Sequence, residues 1–203
     1  MAAAGKVCFG EPMDIRLFVA VDLPESVRRQ LAGLCFGVPG AHWVAAEQIH
    51  LTLRFIGEVD GAMFRDVREA LAGVRSGSFA MQVQGLGYFP PRQLPRILWA
   101  GVAKNDALVL LRNRVEATLV RCGLEPEGRK FAPHITLARL RETPLSRLTN
   151  FLAGNGLFTT EPFTVTEFHL YSSQVSAKGA MHQLEASYPL AAGLGAQHGL
   201  PQV

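Results

Sequence analysis

Two histidines, each followed two positions later by a threonine, carry the residue types and spacing in this chain that suit chemistry. They are His50-Leu51-Thr52 and His134-Ile135-Thr136, 134 − 50 = 84 positions apart. The other histidines, His42, His169, His182 and His198, have Val, Tyr, Leu and Leu at the corresponding place. An imidazole gives and takes protons near neutral pH, because its unperturbed pKa is about 6.5. Two of them on opposite sides of one substrate can serve as base and acid in a single turnover. Such a pair suits a phosphodiester, where one group activates the nucleophile and the other protonates the departing alkoxide. A threonine beside each histidine can donate a hydrogen bond to a phosphate oxygen that gains charge in the transition state. One His-x-Thr alone reads best as a structural histidine in a half-buried strand; two copies in matching places favour function. Two histidines without a third converging ligand make a poor zinc site, and no carboxylate cluster presents itself for a divalent metal. The expectation is therefore chemistry without metal or cofactor. Cys8, Cys35 and Cys122 are odd in number and widely spaced, and read as reduced thiols rather than as a nucleophile or a ligand set.

Each motif lies in a run that reads as a β-strand. In Ile49-His-Leu-Thr-Leu-Arg-Phe55, period two places Ile49, Leu51, Leu53 and Phe55 on one face and His50, Thr52 and Arg54 on the other. Arg54 thus points with His50 and is a candidate phosphate contact. Pro133 to Arg139 repeats the pattern. Strict alternation puts Phe55 and Arg139 on the core side; each reaches the histidine side only where its strand ends, twists or bulges after about Leu53 or Leu137.

The flanking elements repeat as well. Ile15 to Val21 reads as a buried strand, and Asp22-Leu23-Pro24-Glu25 as a capping box opening a helix with Val27, Leu31 and Leu34 inward. After the first motif, Asp60 caps a helix carrying Phe64, Val67 and Leu71, and one strand spans Phe79 to Tyr88. The pattern restarts at Arg96-Ile-Leu-Trp-Ala-Gly-Val102, which resembles Arg16 to Val21 in composition. A helix with Leu108, Leu111, Val115 and Leu119 follows, capped by Asn105 or Asp106. Then come the second motif, a helix from Thr143-Pro144, a strand over Phe163 to Tyr171 and a last strand over Met181 to Tyr188. The distance from Arg16 to His50 is 34 positions and from Arg96 to His134 is 38, which indicates an internal duplication. The expected fold is α+β and bilobal: two pseudo-two-fold-related lobes of mostly antiparallel sheet with flanking helices. The two His-x-Thr strands would line a central cleft.

The 203 residues, 48% hydrophobic and 18% charged, belong to an ordinary globular protein and not to a disordered one. The expected organisation is one bilobal domain over 14–190 between flexible extensions at 1–13 and 191–203. Net charge of +3 is compatible with a phosphate-bearing ligand. No apolar run approaches the ~20 residues of a membrane span, and Lys6, Glu11 and Asp14 interrupt the N-terminal segment, so a cytoplasmic monomer that does not engage membranes is expected.

These residues resemble the 2H phosphoesterases, and among them the RNA 2′,3′-cyclic phosphodiesterases, also called 2′-5′ RNA ligases. The likeness covers about Arg16 to Leu190. Its pieces are Arg16-Leu-Phe-Val-Ala, Trp43-Val, His50-Leu-Thr-Leu-Arg-Phe-Ile-Gly57 and Gly85-Leu-Gly-Tyr-Phe-Pro90. They continue with Leu98-Trp-Ala-Gly-Val102, Phe131-Ala-Pro-His-Ile-Thr-Leu-Ala-Arg139 and Leu170-Tyr-Ser-Ser with Gly179. The family often has an aromatic residue where this chain has Met181-His182. The resemblance implies hydrolysis of a terminal ribose 2′,3′-cyclic phosphate to a 2′-phosphate, with 2′-5′ ligation as the reverse reaction and no metal or nucleotide cofactor. By position, His50 would protonate the departing 3′ oxygen, His134 would activate water, and Thr52 and Thr136 would hold phosphate oxygens. Arg139 would add a charged phosphate contact, and Phe55 would lie near the nucleoside and stack on a base. Partners would be RNA ending in a 2′,3′-cyclic phosphate, or small cyclic nucleotides. Two further readings stand beside this one: a cyclic phosphodiesterase for small cyclic nucleotides or ADP-ribose cyclic phosphate, and a non-catalytic module that binds RNA ends.

Overall fold

The computed structural model describes residues 14–91, 93–176 and 179–192. The expected N-terminal extension 1–13 lies outside the described residues, as does 193–203 of the C-terminal one. Ala191 still pairs with Gly77, and its N–H donates to the Ser76 carbonyl at 2.8 Å.

The elements follow in the order β1 (Ile15–Asp22), α1 (Glu25–Ala32), β2 (Ala41–Trp43), β3 (His50–Val59), α2 (Gly61–Leu71), β4 (Phe79–Met81), β5 (Val83–Phe89), β6 (Ile97–Val102), α3 (Asp106–Arg121), β7 (His134–Leu140), α4 (Leu145–Gly154), β8 (Phe163–Val165), β9 (Glu167–Ser176) and β10 (Gly179–Pro189). The fold is α+β. A large antiparallel sheet runs β10-β9-β1-β3-β7-β6-β5, with β2 added on β7, and β4 pairs with β8 in a small second sheet.

Local chemistry explains the helices. The Asp60 carboxylate accepts from the N–H groups of Ala62 and Met63 at the start of α2, and the Asn105 amide oxygen accepts from Leu108 N–H at the start of α3. Both satisfy donors that the first helical turn leaves without partners. The buried stripes, Val27 and Leu31, Val67 and Leu71, Leu108, Leu111, Val115 and Leu119, and Leu148, join one core with Leu51, Leu53, Ile135 and Leu137 of the motif strands. That core occupies one face of the sheet. The opposite face is therefore free for His50, Thr52, His134 and Thr136.

Three expectations are corrected. Asp22 is not a helix cap: α1 begins after Pro24 with no side-chain cap, and Asp22 ends β1. The strands expected over Phe79–Tyr88 and Phe163–Tyr171 are each broken, at Gln82 and at Thr166. In both repeats the first piece enters the small sheet and the second crosses to the large one, a change of partner that an alternating pattern does not encode. The composition match between Arg16–Val21 and Arg96–Val102 is also one residue out of step. The ladders set Val19 against Arg54 and Leu98 against Ala138, so Leu98 is the counterpart of Val19.

The repeats exchange their last strands. β5 closes the first repeat but pairs with β6 of the second, while β9 closes the second and pairs with β1 of the first. Between them, β3 and β7 meet through the single pair Leu51↔Ile135. The sheet is thus narrowest where the two motifs touch.

Candidate active site

The antiparallel register centred on Leu51↔Ile135 sets His50 against Thr136 and Thr52 against His134, one step to either side. Leu51 and Ile135 are fully buried in the core. Their motif neighbours, all part-exposed, turn to the other face together. Both histidines are fixed in the same way. His50 Nδ1 lies 2.7 Å from the Gln48 carbonyl oxygen, and His134 Nδ1 lies 2.8 Å from that of Ala132. A carbonyl only accepts, so Nδ1 carries the hydrogen in each ring and Nε2 of the neutral imidazole is left with its lone pair. Two imidazoles in the same tautomer are a base as they stand and an acid once protonated.

The ends of the two motif strands depart from simple alternation at matching places. Between β1 and β3 the register skips Leu53 and again Ile56; between β6 and β7 it skips Leu137. Leu53 and Leu137 are 84 positions apart, like the histidines. A bulge reverses the parity of the residues beyond it. Leu137 and Ala138 are consequently both buried while Arg139 is exposed. In the first repeat Phe55 is 56% exposed, with its ring 6.0 Å from that of Phe18.

The same bulge overturns the reading of Arg54 as a phosphate contact beside His50. Its guanidinium turns instead to α3 and the loop after it. Nε lies 2.8 Å from Glu116 Oε2 and Nη1 3.4 Å from Glu127 Oε2, while Nη2 donates to the Glu125 carbonyl at 2.6 Å. Arg112, 3.5 Å from the same Glu116 oxygen, completes the network. Arg139 lines an open groove of about 510 Å³ with Arg96, Arg141 and Glu142, to which none of the four motif residues contributes.

Aromatic rings support the histidines. Phe18, 2% exposed, is stacked beneath His50 at 4.9 Å and 26°, and beneath Tyr171 at 5.3 Å and 14°. Phe89 meets His134 edge-on at 5.0 Å and packs on Trp99 at 5.2 Å. Gly87 makes room for Trp99, since a Cβ there would stand 2.3 Å from the indole. Burial lowers the His50 pKa to about 4; the hydrogen bond to Gln48 and the Asp22 carboxylate oppose this, and His182 adds to it. Desolvation disfavours the charged ring. Asp22, opposite His50 in the β1–β3 ladder, holds the Tyr171 hydroxyl at 2.9 and 2.8 Å from its two oxygens. Burial, with this carboxylate, pushes the Tyr171 phenol well above its ordinary value.

Phe18, Asp22, Phe89 and His182 were not singled out as site residues by sequence reasoning. Ile15–Val21 is apolar almost throughout, so no period assigns Phe18 to a face, and Asp22 carried a stronger helix-cap signal. Among the described residues no three His, Cys, Asp or Glu side chains group as metal ligands, and no described helix is long and apolar enough to cross a membrane.

A family model for LigT-like phosphoesterases matches residues 21–99 and 101–181. An RNA 2′,3′-cyclic phosphodiesterase of Thermotoga maritima is 33% identical over 178 residues, 84% of this chain and 92% of the relative. Another from Aeropyrum pernix is 35% identical over 149 residues, 72% and 84% of the two chains. Among solved structures, Escherichia coli LigT complexed with 3′-AMP is similar with a TM-score of 0.69 and 27% identity, covering 87% of this chain and 98% of that one.

Proposed function

The chain belongs to the LigT-like phosphoesterase family, and on that premise we propose that it opens a terminal ribose 2′,3′-cyclic phosphate of RNA to a 2′-phosphate, with His50 and His134 as an acid–base pair and no metal. The observation that carries this reading is the matched pair of imidazoles flanking Leu51↔Ile135, each tied through Nδ1 to a backbone carbonyl. In the reaction, His134 Nε2 takes a proton from water as its oxygen bonds to phosphorus. The bond from phosphorus to the 3′ oxygen breaks, and protonated His50 delivers its Nε2 proton to that oxygen. Thr52 and Thr136 donate to the non-bridging oxygens, Arg139 offsets phosphate charge, and Phe55 offers a face for the base. Solvent then restores one proton to His50 and removes one from His134.

His50 is neutral in the empty site, since its pKa is lowered to about 4. A phosphate anion beside the ring favours the imidazolium, so the acid gains its proton together with substrate. Small cyclic nucleotides are the second reading, supported by the 3′-AMP complex of the LigT relative. The test is product analysis on an oligoribonucleotide ending in 2′,3′-cyclic phosphate, incubated in EDTA. Phosphorus NMR should show a 2′-phosphate; a 3′-phosphate, or turnover only when a divalent metal is restored, overturns the proposal.

A further inference from the structure

A third histidine stands against the first. His182, on β10, lies perpendicular to two rings that are stacked on each other: His50 at 5.4 Å and 85°, and Phe18 at 4.9 Å and 75°. It reaches them across the sheet from the outermost strand, where it pairs with Ser173 of β9. Its Nδ1 is buried and has no hydrogen-bond partner among the described residues. Burying a polar nitrogen unpaired is unfavourable, and a carbon ring would fill the same space without that cost. The fold shows that a carbon ring can do the packing, because Phe89 meets His134 edge-on at a similar distance, 5.0 Å. The imidazole at 182 therefore adds something that packing does not require.

We propose that His182 is a positioning residue for the acid–base pair: it braces the His50 ring and, being itself titratable, lets only one of the two imidazoles carry charge in the empty site. This rests on the role given to His50 above. Two imidazoliums with centroids 5.4 Å apart repel, by an amount equal to about half a pH unit in water-like screening and about two units at an effective dielectric of ~20. Burial lowers the His182 pKa, and burial first, with His182 contributing, takes that of His50 down to about 4. On acidification, whichever ring takes the first proton holds the second off its neighbour. The charged and titratable groups around this cluster include Asp22 on β1, Tyr171, His169 and Glu167 on β9, and Arg28 on α1. Tyr171 donates to Asp22, while His169 Nε2 lies 3.7 Å from it. Glu185, on the strand of His182 itself, is occupied by the Ser172 hydroxyl at 2.6 Å. A negative charge at Asp22 draws protons to His50, and His182 is the group that opposes it.

The experiment is NMR titration of the His50 ring in the full chain, for the native protein, His182→Phe and His182→Ala, joined to the pH profile of kcat/KM on a 2′,3′-cyclic mononucleotide. In His182→Phe, which keeps a ring against Phe18, the His50 titration should move up by about half a unit or more, and the limb of the rate profile that His50 governs should move with it. His182→Ala should show the same upward move, together with broadened His50 resonances from the loss of the brace. An unchanged His50 titration in His182→Phe overturns the proposal, as does a rate profile that fails to follow the titration. The titration needs no substrate, so an inactive but normally titrating protein would count against the proposed reaction and not against the coupling of the two rings.

Discussion

Acidification should cost this protein stability through His50 in a way that a variant without the ring escapes. In the folded chain the His50 pKa is lowered from 6.5 to about 4. Between those values the unfolded chain binds a proton at this site and the folded chain does not, so stability rises with pH across that window. The contribution is fully present above about pH 6.5, is lost progressively as pH falls towards 4, and is constant below that, where both states are protonated. At about 1.36 kcal/mol per pH unit, the lowering amounts to roughly 3 kcal/mol. The assay is urea unfolding of the native protein and His50→Gln at intervals from pH 7 to pH 3.5. Taking the difference cancels the carboxylates and histidines that are not coupled to His50, which leaves its own titration with that of its neighbours Asp22 and His182. The native protein should lose roughly 3 kcal/mol relative to the variant across the window. If the two curves run parallel, the ring is not held neutral by its surroundings, and the account of Phe18, Tyr171 and His182 around it is wrong.

Three further outcomes rest on particular contacts. Arg54→Met leaves Glu116 of α3 without its 2.8 Å partner and should cost roughly 2–3 kcal/mol in urea unfolding, with KM for a cyclic mononucleotide unchanged; a raised KM at native stability would return Arg54 to the substrate site. Phe55→Ala, at a position 56% exposed, should leave stability within about 0.5 kcal/mol and raise KM by about tenfold through lost base stacking. Gly87→Ala brings a Cβ to 2.3 Å from the Trp99 indole and should lower stability by about 1–3 kcal/mol, read by thermal unfolding; a neutral result would mean that Trp99 has room to move.

The contrast between Leu51 and Leu53 marks what the sequence could carry. Around Leu51, alternation alone gives the right faces, because both neighbours are polar and the residue is fully buried. At Leu53 the same alternation fails for Arg54 and Phe55 together. Nothing in the side chains announces the bulge, which arises from how β3 registers against β1, a strand that starts 50 − 15 = 35 positions earlier. The duplication was visible as similar runs at similar spacing, but the exchange of β5 and β9 between repeats was not. Which strand pairs with which is a property of the whole sheet, and the breaks at Gln82 and Thr166 carry no turn residue to mark them. His182 was legible only as a departure from a familiar pattern; its place against His50 depends on β10 lying outside β9.

The central claim is that His50 and His134 work as one unit. Single-turnover rates on a ribonucleoside 2′,3′-cyclic phosphate, measured in EDTA for the native protein, His50→Ala, His134→Ala and the double variant, test it most directly. Each single variant should lose about 10²–10⁴-fold, and the double variant should be within about tenfold of the weaker single one, because removing either member already disables the pair. A single variant that retains near-native turnover, or two losses that multiply in full, would contradict it.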